Sequence, residues 1–180
     1  MKKLIATAAL TSIAATSVWA ESGYIGAELS SVNAEITADY FSGSFDAQPL
    51  AFRVKGGGEI YENLVVEGYI GMGIGDDTVE DTDIDLEVDS MIGVNLKGLI
   101  PLGDTAAFYG KVGFARITFE DSDKDTYDEN GLTYGIGAQF SVSETLAFTL
   151  DYSVFPDAEN KEYELDVESD MISIGFQYYP

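Results

Sequence analysis

From residue 24 to the C-terminus, apolar and polar residues alternate in a series of short runs. In the last run Ile172, Ile174, Phe176 and Tyr178 fall on one face, with Ser173, Gly175 and Gln177 on the other. Leu146, Phe148, Leu150, Tyr152 and Val154 likewise oppose Ala147, Thr149, Asp151 and Ser153. A side-chain period of two marks extended strands. The runs predict strands over residues 24–32, 50–61, 64–75, 88–100, 106–119, 132–142, 146–155 and 171–179. Several exceed the five or six residues usual in globular sheets and reach the roughly ten needed to cross a bilayer.

The connections separate a membrane barrel from a soluble sandwich, which would also alternate. Glu62-Asn63, Pro101-Leu102-Gly103-Asp104 and Ser143-Glu144-Thr145 are tight turns. Residues 33–49, 76–87, 120–131 and 156–170 form long polar connections. Long and short connections alternate, so all the long ones gather at one end. That asymmetry is expected of a transmembrane barrel with short periplasmic turns and long extracellular loops. The expected fold is therefore all-β, an eight-stranded antiparallel up-and-down transmembrane β-barrel.

The N-terminus reads differently. Lys2 and Lys3 precede an apolar stretch from Leu4 to Ala15, and Val18-Trp19-Ala20 ends with small residues at the −3 and −1 positions. This is the layout of a secretory signal peptide. It is too short, and too interrupted by Ser and Thr, for a spanning helix of about 20 residues. Residues 1–20 are expected to be cleaved, leaving 21–180 as the barrel domain and localising it to the cell outer membrane.

Particular stretches carry a family resemblance. Phe108-Tyr109-Gly110-Lys111-Val112-Gly113-Phe114-Ala115 is similar to the fifth strand of the small outer-membrane β-barrel family, the porin-like domains that include the transmembrane part of outer membrane protein A and outer membrane protein X. Gly135-Ile136-Gly137, Thr145-Leu146-Ala147-Phe148 and Asp151-Tyr152 resemble its sixth and seventh strands. The terminal strand, with Phe176 and Tyr178, resembles the family's signal for the barrel-assembly machinery, although Pro180 replaces the usual terminal aromatic residue. The resemblance implies a Gram-negative outer-membrane protein surrounded by lipid and lipopolysaccharide.

The interior of so small a barrel is filled by side chains. Alternation assigns Glu28, Arg53, Lys55, Glu59, Glu67, Lys97, Lys111 and Asp151 to the inward face, an expected balance of cations and anions. Charges facing lipid at mid-membrane cost roughly 2–4 kcal/mol for Arg or Lys, and buried charges need partners. A paired network inside the barrel meets both demands; a gated ion path through rearranging pairs is the sharper alternative. Glycines 71, 73, 93, 113, 135, 137 and 175 share the inward parity, where space is shortest. Arg116 has outward parity. It either sits at the outer headgroup level or is turned inward by a bulge. Phe108, Phe140, Phe148 and Tyr178 near the short turns, with Phe52, Tyr134 and Tyr152 nearer the long loops, suggest two aromatic belts.

Composition narrows the chemistry. There is no cysteine and no histidine, which removes disulfides, thiol chemistry and the commonest general base. Barrel enzymes that modify lipids resemble this architecture but use histidine-containing sites, so no catalytic role and no cofactor are implied. The formal charge of −23 becomes −25 once Lys2 and Lys3 leave with the leader, which argues against nucleic acid. The four long connections hold 23 acidic residues and two lysines, Lys124 and Lys161. Asp81, Asp83 and Asp85, and Asp121, Asp123 and Asp125, begin like calcium loops. Neither set completes an EF-hand; in the second, Thr126 replaces the required glycine and Leu132 the bidentate Glu. Weak divalent binding and a merely solvated acidic face both remain open. The expected function is a structural or surface-interaction role with a filled lumen, against a narrow channel for ions or small solutes. The loops carry no signature of a specific ligand.

Overall fold

A computed structural model describes residues 23–38, 44–78, 85–121, 126–155, 158–160 and 165–180. Eight long strands form the wall: β1 (Gly23–Ala38), β3 (Leu50–Tyr61), β4 (Leu64–Gly75), β6 (Asp85–Leu102), β7 (Ala106–Asp121), β8 (Thr126–Ser141), β9 (Leu146–Val154) and β11 (Leu165–Tyr178). Three short strands, β2 (Ser44–Ala47), β5 (Asp77–Thr78) and β10 (Ala158–Asn160), add to β1, β6 and β11 at the long-loop end. Each long strand pairs antiparallel with its neighbours, and β11 pairs with β1 to close the barrel. Closure leaves no unpaired edge within the wall, which a sheet in hydrocarbon requires.

Alternation decides which face is which. Ile25 and Leu29, Val94 and Leu96, Val112 and Phe114, and Ile172 and Ile174 all point outward and are exposed. An exposed apolar band of this extent has no stable place in water. Phe108, Phe140, Phe148 and Tyr178, and Phe52, Tyr134 and Tyr152, are exposed on the same outer face.

Strands and loops differ from the sequence pattern mainly at the long-loop end. Pairing of β1 with β11 continues through Ala38 and Leu165, and pairing of β7 with β8 through Glu120 and Thr126. These residues were expected in loops because the connections are long and rich in acidic and other polar residues. Backbone pairing persists there because the ladder satisfies main-chain N–H and C=O groups beyond the apolar band, and Ala34 and Ser169 stay buried on the inner side.

The local irregularities have definite sites. Asn63 adopts a left-handed φ of 62° in the turn between β3 and β4, a conformation Asn tolerates. The register of β6 against β7 shifts between Val88 and Ser90. β7 itself runs without a shift against β8, and Arg116 is exposed between buried Ala115 and Ile117. Arg116 therefore faces outward, at the upper edge of the apolar band. The bulge lies in the partner strand, where it carries Asp89 and Ser90 outside and turns Val88 into the interior.

Candidate functional site within the barrel lumen

Two layers fill the interior. The first, toward the short turns, is a belt of charges. Glu28 on β1 receives Arg53 Nη2 at 2.6 Å on one oxygen and Lys55 Nζ on the other. Thr149 Oγ1 approaches the same carboxylate at 3.4 Å. Lys55 also reaches Glu67 on β4 at 3.5 Å, and the Tyr24 hydroxyl donates to Glu67. Arg53 donates a second bond to Ser173 Oγ at 2.9 Å, and its guanidinium lies 5.0 Å from the centre of the Tyr69 ring. Across the barrel, Lys111 on β7 pairs with Asp151 on β9 at 2.6 Å. Asp151 further accepts from Tyr109 OH at 3.0 Å and from Ser153 Oγ at 2.7 Å. These ions are all buried. Their mutual bonds offset a desolvation cost of several kcal/mol per ion.

Glycine makes the room. A Cβ on Gly137 would meet the Tyr109 ring at 2.3 Å, one on Gly93 the Tyr69 ring at 2.5 Å, and one on Gly135 the Lys111 stem at 2.9 Å. Tyr109, Tyr69 and Lys111 thus lie over glycines on neighbouring strands, and Arg53 and Glu28 do the same over Gly71 and Gly175.

Two of the sequence expectations need correction. Glu59 has inward parity but lies outside the belt: it is exposed at the end of β3, where its Oε1 accepts the Asn63 N–H at 2.6 Å and caps the turn. The register shift between Glu59 and Tyr61 ends regular alternation there. The described lumen therefore holds four cations and three carboxylates, not an equal number. Lys97 is the cation without a carboxylate partner among the described residues; its Nζ lies 3.9 Å from the Tyr109 ring centre and 5.7 Å from that of Tyr24. Asp81, Asp83, Asp123 and Asp125 fall outside the described residues. Asp85 and Asp121 end paired strands, opposite Thr78 and Leu86, with only their backbones described.

The second layer was not anticipated. Toward the long loops the inward positions become apolar: Val32, Val88, Met91, Ile117, Phe119, Phe155 and Met171 pack with several alanines into one buried cluster. Inward parity was visible for all of these but Val88. What could not be read was that inward faces change from charged to apolar along the same strands, because one strand alone shows only one or two residues of each layer.

A family model for the outer membrane protein beta-barrel domain matches residues 4–179. The chain belongs to this family. Outer-membrane barrels of this kind place the apolar band described above in lipid. Solved structures agree on the fold at low identity. Neisserial surface protein A (NspA) is 14% identical with a TM-score of 0.60, over 87% of this chain and 96% of that one. OprG from Pseudomonas aeruginosa is 15% identical with a TM-score of 0.58, over 89% and 96%. Ail of Yersinia pestis, solved with the heparin analogue sucrose octasulfate, is 17% identical with a TM-score of 0.51, over 86% and 98%. A comparison with curated proteins finds no sequence match. The protein is thus a small outer-membrane β-barrel of the Gram-negative type.

Proposed function

We propose that this barrel is closed, neither conduit nor enzyme, and acts as a structural or surface-contact protein through its acidic long-loop end. The observation that carries this reading is the pair of closures in series. An ion crossing the lumen would have to part the charged belt and then pass the apolar cluster around Ile117 and Met171. The belt carboxylates are each engaged by cations or hydroxyls, which leaves none of the three poised as a general base. In planar bilayers the purified protein should show no steady current. A steady, ion-selective current changed by Lys111→Glu would favour the alternative, a narrow channel for ions or small solutes.

The acidic loops bear on partners. With 23 carboxylates against two lysines, they disfavour a sulfated polyanion of the kind bound in the Ail structure. They fit anionic lipopolysaccharide only through bridging divalent cations. We also propose that residues 1–20 are a cleaved signal peptide, on the pattern from Lys2 to Ala20. Intact-mass measurement on outer-membrane fractions should find a chain beginning at Glu21; a chain still carrying Met1 or Lys2 would refute this.

A further inference from the structure

Lys97 poses a problem that the rest of the belt solves. Arg53, Lys55 and Lys111 each touch a carboxylate within 3.5 Å. Lys97 is 1% exposed, makes no ion pair within 4 Å among the described residues, and has its Nζ over the Tyr109 and Tyr24 rings. An ammonium carries three donors, and a ring face attracts its charge without accepting a directed hydrogen bond. The hydroxyls of those rings donate to Asp151 and Glu67 respectively, Tyr109 at 3.0 Å. In register, Lys97 also stands directly opposite Lys111, so a second cation is its cross-strand neighbour.

Buried donors without an acceptor lie in the same short-turn half: Arg53 Nε and Gln177 Nε2. Gln177 is fully buried, and its Nε2 has no acceptor. Its Oε1 accepts the Tyr179 hydroxyl at 3.0 Å, and the amide N–H2 is at the other end. Tyr179 packs on Tyr24 at 5.5 Å between ring centres, and Tyr24 is one of the two rings beneath Lys97. The short-turn half of the lumen thus holds four buried cations against three carboxylates, and two buried donors, Arg53 Nε and Gln177 Nε2, have no acceptor among the described residues.

We propose that this half of the lumen binds one small monovalent anion beside Lys97, chloride in ordinary media. Water would satisfy the donors and leave the charge uncompensated. A metal ion would add to the excess. A bulky anion is excluded by packing, since Tyr109 and Tyr69 already lie against Gly137 and Gly93. The site goes beyond the closed-barrel reading and does not depend on it, because binding is measured without any current.

The test uses the mature barrel. Crystals grown or soaked in bromide should show one anomalous peak per chain inside the lumen, beside the Lys97 ammonium. In detergent, the melting temperature should be higher in chloride or bromide than in gluconate at equal ionic strength. Lys97→Met, which makes the lumen charges equal, should abolish both the peak and the salt difference while still shifting between boiled and unboiled forms on gels. The proposal is overturned if bromide appears only on the outer surface, or if the wild-type barrel melts alike in chloride and gluconate. Should Lys97→Met fail to assemble, these two wild-type measurements still decide.

Discussion

Asp151→Asn is expected to destabilise the folded barrel by about 3–5 kcal/mol, the cost of leaving a buried charge without its partner. The side chain keeps its shape but turns one acceptor oxygen into an N–H2 donor, so the charge and an accepted hydrogen bond are lost together. Lys111, at 2.6 Å, loses its counterion, and Lys97, directly across from Lys111, can only repel it. Glu28 and Glu67 are already engaged by Arg53 and Lys55 and offer no substitute. Pairing the change with Lys111→Met removes both partners and restores the original excess of one cation. The double variant should recover much of the lost stability, a coupling that a double-mutant cycle reads directly. Urea unfolding in lipid vesicles would measure it. Additive effects of the two substitutions would mean that the 2.6 Å pair contributes nothing to stability.

Gly175→Val should block barrel closure altogether. Gly175 lies on β11, paired with Glu28 on β1, at the seam where the last strand meets the first. A Cβ there would lie 2.4 Å from the Ala27 carbonyl oxygen and 2.4 Å from Glu28 Cγ. The carbonyl is main chain in the closing strand pair and cannot swing aside as a side chain does. Moving Glu28 would release Arg53 and Lys55 at the same time. Steric and electrostatic losses therefore fall on one position, beyond the 1–3 kcal/mol of ordinary overpacking. The variant should accumulate without the unboiled, fast-migrating form on detergent gels. Gly98→Val is the control: it is on the outer face, and a Cβ there meets nothing within 4 Å. Normal assembly of Gly175→Val would show that the seam tolerates a side chain and that the packing argument fails.

The amino-acid order alone determined the strands, their antiparallel succession and the faces they present, because each of these follows from a period-two pattern that a single strand displays. Phe108, Val112 and Phe114 alternate with Tyr109, Lys111 and Gly113, and the structure keeps that parity through Ile117. The family was legible for the same reason. Other features depended on contacts between strands. The reach of β1 and β11 beyond residues 32 and 171 is carried by backbone pairing, which leaves no trace in side-chain polarity. Glu59 has the parity of a belt residue, and only the turn at Asn63 takes it out of the lumen. The bulge beside Val88 belongs to β6, though the irregular residue visible in the sequence was Arg116 on β7. The division of the lumen into a charged belt and an apolar layer, and the uneven charge count that leaves Lys97 on tyrosine rings, arise only when eight strands are tilted and closed. Which inward residues come level is set by that closure, since stagger between strands moves sequence neighbours apart and brings Glu28, Arg53 and Ser173 together.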